Sequence, residues 1–206
     1  MRYVILAGLL LATAVPSQAG SGDIPLVAIG LPFAPETPRP IGPTHPLYQS
    51  LEVGEIEGLP STVGSSALNW IRAAKRSSVN AALQDSFRRM NMVAPDGKQA
   101  RGRLTVSWGG SATPFRLGGN NTTTATLHYR VVRIDNGHVL FDRDITTSAQ
   151  GDGGDASMRD NGIVRAAIAT NFASAAWCLD HAARGAPVAD CALTPKFEVT
   201  QIRIGH

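Results

Sequence analysis

Residues 122–147 hold two β-rich runs around a tight turn. The first run, TTTATLHYRVVRI at 122–134, alternates apolar and polar side chains. The second, at 138–147, follows Asp135-Asn136-Gly137. Successive side chains of a strand point to opposite faces, so alternation of this length puts one face in the core and the other in water. Asn-Gly supplies residues that tolerate positive φ, as a tight hairpin turn demands. Ala125, Leu127, Tyr129 and Val131 are expected on the dry face, and Thr124, Thr126, His128 and Arg130 on the wet one. A preceding run at 101–108, RGRLTVSW, sets Leu104, Val106 and Trp108 against Arg103, Thr105 and Ser107. Gly109 to Gly119 reads as a glycine-rich loop.

A sheet with one dry face must be covered, and two helical patterns flank it. Leu68, Ile71, Val79, Leu83, Phe87 and Met90 recur at helical spacing, which predicts a helix over about Ser65–Met92, capped by Ser65 or Ser66 and stopped by Pro95-Asp96-Gly97. Val164, Ile168, Phe172, Ala175 and Leu179 mark a second over about 157–184, ended by Gly185 and Pro187. YQSLEVGEIE at 48–57 reads as a strand, Gly58 to Gly64 as a turn, and 197–204 as a short terminal strand. The order is β-α-β-β-β-α plus a tail. The expected fold is α+β, a two-layer sandwich with a mainly antiparallel sheet of about four strands and two long helices on one face.

The N-terminus sets the compartment. Arg2, the apolar stretch Val4–Val15 and the small-x-small sequence Ser17-Gln18-Ala19 read as a signal peptide over 1–19. The stretch is shorter than the roughly 20 residues of a spanning helix. Residues 20–47 read as a Pro-rich linker or surface strap, with six prolines between residues 32 and 46. Residues 48–206 form one domain. In an oxidising compartment the lone pair Cys178 and Cys191 is expected to form a disulfide. Net charge is +3, falling to +2 without Arg2, which carries no nucleic-acid signature.

The sequence lacks a G-x-S-x-G elbow, an H-E-x-x-H helix and a phosphate-binding loop. His128 on the wet face can reach Ser107, Asp142 or Asp144 across strands, which keeps an exported hydrolase as a minor alternative. Asp152, Asp155 and Asp160 miss the calcium-loop spacing. Asp155 or Ser157 reads instead as a helix cap, with Asp160 near the helix's positive end. No metal and no cofactor are expected. Asn120 and Asn121 each begin an N-x-T sequon. Arg72, Lys75, Arg76, Arg88 and Arg89 lie on the first helical segment, where a basic face would suit peripheral contact with anionic membrane.

LEVGEIEG at 51–58, AALQDSFRRMNMV at 81–93, GRLTVSW at 102–108, TATLHYRVVRIDNGHVLFDRDITT at 124–147 and RDNGIVRAAIATNFASAAW at 159–177 together resemble small bacterial cell-envelope proteins, many of them lipoproteins. The layout is similar to auxiliary lipoproteins of lipid-transport ABC systems and to the lipopolysaccharide-assembly lipoprotein. The resemblance implies a sheet-backed two-helix fold that acts by binding partners rather than by catalysis. The chain departs from it in lacking a lipobox cysteine. The expected function is therefore a non-enzymatic accessory protein, secreted to the periplasm and free or outer-membrane associated. It would contact an envelope partner through Arg103, Thr105, Ser107, Thr124, Thr126, His128 and Arg130. The alternative is a direct lipid or lipopolysaccharide carrier, with its ligand between helices and sheet.

Overall fold

The computed structural model describes residues 39–64, 72–114, 116, 119–151, 156–187 and 198–199. The hairpin anticipated from the alternation is its centre. Strands β4 (Gly102–Ala112), β5 (Asn121–Arg133) and β6 (Val139–Gly151) run as an antiparallel meander. Strand β1 (Leu51–Glu57) lies parallel beside β4, and the two-residue β7 (Glu198–Val199) lies parallel beside the end of β6. The sheet order is β1-β4-β5-β6-β7. The sheet is thus mixed, antiparallel through its three long strands and parallel at its two edges, for a topological reason. A parallel neighbour needs a crossover connection, and the chain between β1 and β4 supplies one. That crossover contains a small antiparallel pair, β2 (Thr62–Gly64) with β3 (Arg72–Lys75), followed by helix α1 (Arg76–Arg89).

The first helix is therefore shorter than its spacing predicts. Residues 72–75 are extended, and Ser65, Ser66, Leu68 and Ile71 lie outside the described residues. Local periodicity loses here to a non-local ladder. Thr62 and Val63 pair with Lys75 and Ala74, and the Arg76 amide donates to the Ser61 carbonyl at 3.0 Å. The helix also stops before Pro95. Asn91, at φ 59°, adopts the left-handed conformation after the last turn, and the Met92 amide reaches back to the Phe87 carbonyl at 3.1 Å. This is a Schellman closure with asparagine in the place that glycine usually fills.

Strand β4 runs further than expected, through Gly109 and Gly110 to Ala112, with a register shift between Trp108 and Gly110. A Cβ on Gly109 would sit 2.9 Å from the Thr126 carbonyl oxygen, so the close approach of β5 requires glycine. At the other end of β5 the turn takes in Ile134 as well as Asp135-Asn136-Gly137. It is closed by the Arg133 amide on the His138 carbonyl at 2.9 Å.

Helix α2 (Ala156–Ala183) crosses the dry face of β5 and β6. Ala125, Leu127, Tyr129 and Val131 are buried beneath it, Leu104 and Val106 of β4 are buried in the same core, and Trp108 is partly buried against it. The predicted stripe of α2 is buried, but so are Ile163, Ala167, Ala169, Ala173 and Ala176. The reason is the neighbourhood. The sheet covers one side of α2, while α1 and the β2–β3 pair pack against it as well. α1 itself touches α2, β1 and β3. By length and composition α2 could cross a membrane, yet 83% of its apolar window is buried inside the fold.

Residues 39–50 pack on the domain. Ile41 and Leu47 are buried, and the Ile41 amide donates to the Met90 carbonyl at 3.1 Å. His45 Nε2 lies 3.0 Å from Asp180 on α2. The leader at 1–19, the linker up to residue 38, Asp152, Asp155 and Cys191 lie outside the described residues, as does the side chain of Ser157. Cys178 is buried on α2, and no free cysteine is found among the described residues.

One polar network runs through the core. The Tyr129 hydroxyl donates to Asn171 Oδ1 at 2.7 Å. Asn171 Nδ2 faces the carbonyls of Ala125 and Ile145 at 3.0 and 2.8 Å and Thr147 Oγ1 at 3.1 Å. Burial holds the Tyr129 phenol well above its ordinary value of 10.0. The unfolded chain ionises near that value while the folded chain keeps its proton, so stability is full below it and falls as pH rises past it. An ultraviolet titration is expected to show Tyr129 ionising only together with unfolding. A tyrosine that titrates normally in the folded protein would contradict this.

Candidate functional site

The face of the sheet opposite α2 is open among the described residues, and the predicted wet-face residues are all on it. Cross-strand register sets their neighbours. Thr105 pairs with Arg130 and Ser107 with His128 between β4 and β5, while His128 pairs with Asp144 and Arg130 with Asp142 between β5 and β6. Adjacent strands bring such side chains into reach of each other. His128 Nδ1 lies 2.8 Å from Asp144 Oδ1, and its Nε2 lies 2.9 Å from Asp142 Oδ1. Carboxylates only accept, so both contacts are hydrogen bonds together only when both ring nitrogens carry protons. Asp142 also faces Arg130 Nε at 3.5 Å. Thr126 and Thr146 share a hydroxyl hydrogen bond of 2.8 Å.

Strand β1 adds two carboxylates whose role on this face the sequence reading misses. Glu52 accepts from Arg103 Nε at 3.1 Å, and Glu57 accepts from Ser107 Oγ at 3.4 Å. Their place follows only from the parallel register of β1 on β4, which no local signal encodes. Ser107 is thus bonded to Glu57, and both His128 nitrogens face aspartates. The structure joins His128 to Asp142 and Asp144 and does not hydrogen-bond it to Ser107. Thr105 and Thr124 complete the face, Thr124 exposed and Thr105 half-buried.

The face carries both signs interleaved: Glu52, Glu57, Asp142 and Asp144 among Arg103, Arg130 and His128. His128 is 40% exposed and Asp144 72%. Pairs this exposed contribute at most about 1 kcal/mol each. Their effect is to hold side chains in place rather than to stabilise the fold. A shallow groove of about 570 Å³ runs along one end of the face, past Arg103, Thr105, Arg130 and Val132 to the hairpin turn. There the hydrogen bond from Arg133 holds the exposed Asp135 carboxyl below its usual range.

A second concavity lies at the same end, on the helix side of the sheet. It measures about 320 Å³ and is enclosed by the 46–51 segment, the starts of β4 and β6, the end of β5 and the last turns of α2. The sequence does not show it, because five separated segments build it.

The remaining predicted positions are placed elsewhere. Lys75 and Arg76 stand exposed at the start of α1, and Arg88 and Arg89 at its end, about 18 Å away along the axis. They are two small groups rather than one basic face, and Arg89 is paired with Asp85. The side chain of Arg72 lies outside the described residues. Asp160 does not serve as a simple dipole partner. It is buried against Arg159 Nε at 3.0 Å and accepts from Asn121 Nδ2 at 3.0 Å. That bond leaves the Asn121 sequon buried, while Asn120 is exposed. Among the described residues no cluster of metal-ligating side chains occurs.

No family model matches the chain, and no curated protein matches it. Several solved structures are similar in outline. A candidate lipoprotein from Caulobacter crescentus CB15 shares 16% identity over 68% of this chain and 94% of its own, with a TM-score of 0.46. A Xanthomonas campestris protein of the DUF330 family shares 10% identity over 74% of this chain and 92% of its own, at 0.48. A PelC dodecamer from Paraburkholderia phytofirmans shares 13% over 64% and 92%, at 0.35. Likeness at this level carries no argument about what the chain does.

Proposed function

We propose that this chain is an exported, non-enzymatic accessory protein of the bacterial envelope that docks a protein partner on its open sheet face. The carrying observation is the asymmetry of the sheet. One face is sealed by α2, and the other presents Arg103, Thr105, Ser107, Thr124, Thr126, His128 and Arg130 with no cover among the described residues. A three-strand polar surface whose side chains are already paired across strands loses little rotamer freedom on binding, which favours association. Export rests on the leader-like residues 1–19. In the same compartment Cys178 and Cys191 would close a disulfide between α2 and the C-terminal segment.

The test is the double substitution Thr126→Glu with His128→Glu. Both side chains are partly exposed, so stability is expected to change by no more than about 1 kcal/mol. Partner capture from envelope extracts is expected to be lost, because two further carboxylates join Asp142 and Asp144. Unchanged capture by a folded variant would overturn the assignment of the face.

A further inference from the structure

The end pocket lies apart from the open face. Its walls are apolar: Leu47, Leu51, Val131, Leu140, Leu179 and Ala183. Its volume, about 320 Å³, is at the small end of ligand pockets, which run from roughly 300 to 1,000 Å³. That is room for one alkyl chain and too little for a two-chain lipid. The pocket also has an apolar lip: Leu140 lines it and is exposed, and the exposed Val139 precedes it on β6, whereas Ile134, the third exposed large hydrophobic among the described residues, lines the groove of the open face. Single apolar side chains on a surface need no explanation, but a group beside an apolar pocket marks an interaction site.

The charge at the mouth selects the other half of the ligand. Arg101 and Arg133 both line the pocket. Arg133 is taken by Asp135, through Nε to Oδ1 at 3.0 Å and Nη2 to Oδ2 at 2.5 Å. Arg101 is different. The hydrogen bond found for its side chain runs from Nη2 to the Pro46 backbone carbonyl at 3.1 Å, and no carboxylate pairs with it among the described residues. The bond to Pro46 holds the guanidinium at the pocket wall while the rest of its donor fork stays available. Such a fork matches a carboxylate in bidentate fashion. The wall behind it is fixed as well, since the Leu47 amide donates to His45 Nδ1 at 3.1 Å and His45 lies against Asp180.

We infer that the pocket binds a single-chain alkyl carboxylate, a fatty acid, with its tail between the end of α2 and the sheet and its head on Arg101. This site is separate from the open face, and either reading can fail without the other.

Calorimetric titration of the chain purified from exporting cells, with dodecanoate and dodecanol below their aggregation concentrations, tests it. The expected result is saturable binding of one dodecanoate per chain. Arg101→Gln is expected to weaken dodecanoate about tenfold or more and to leave dodecanol unchanged. Ala183→Phe, which fills the pocket, is expected to weaken both. Should that variant fail to fold, Leu140→Asp on the exposed lip serves the same purpose. Absence of saturable binding, uptake of many molecules per chain, or equal dodecanoate affinity in Arg101→Gln would each overturn the inference.

Discussion

Asn171→Leu is expected to lower the unfolding free energy by about 3–4 kcal/mol, read as a drop in the urea midpoint. Asn171 is fully buried on α2, and it faces four groups at once. Leucine keeps the forked outline of asparagine but is bulkier, so some overpacking adds to a loss that is mainly polar. The Tyr129 hydroxyl, also fully buried, loses its acceptor, and Thr147 and the Ala125 and Ile145 carbonyls lose a donor. A buried polar group left without a partner costs about 1–3 kcal/mol. Tyr129→Phe alone removes one bond of the network and is expected to cost about 1–2 kcal/mol. The double variant is expected to cost less than the sum, since the two side chains share a hydrogen bond. Additive losses would show that the network does not act as a unit.

The second large effect is expected at Asp160→Ala, about 3–5 kcal/mol. Arg159 and Asp160 are 2% and 1% exposed, near the start of α2. Arg159 Nη1 and Nη2 donate to the carbonyls of Gly119 and Arg116 at 2.9 and 2.8 Å, tying the β4–β5 loop to the helix. Removing the carboxylate leaves a guanidinium buried without its counter-charge, which costs far more than the intact pair contributes. Adding Arg159→Met to Asp160→Ala is expected to recover part of the loss, because the uncompensated charge goes with it. A loss below about 1 kcal/mol for Asp160→Ala, measured by urea unfolding, would show that water reaches the site.

These two clusters mark where reading the chain stops short. The β5–β6 hairpin was legible because its information is local: a period of two and an Asn-Gly turn. The stripes of α1 and α2 were legible for the same reason. Asn171 carries no signal in its local pattern, and Asp160 reads only as a charge near the positive end of its helix. Only the strands packed against them turn them into buried hubs. The β2–β3 pair was hidden behind a helical spacing that fits residues 65–92 equally well, and the partners of Lys75 and Ala74 are Thr62 and Val63, outside that window. The composition of the open face was half legible. Alternation placed Arg103, Ser107 and His128, and cross-strand reach suggested Asp142 and Asp144. Glu52 and Glu57 needed the parallel register of β1. The end pocket was not legible at all, because no segment of it carries a pattern of its own.

The central claim is that the open face docks an envelope partner, and site-specific photocrosslinking in the exporting cell tests it most directly. A photoreactive residue at Thr126 is compared with one at Ser77, which is exposed on α1 away from the sheet's open face. The account predicts one discrete adduct with an exported envelope protein from position 126 and none from position 77. No adduct at 126, or the same adducts from both positions, would contradict it.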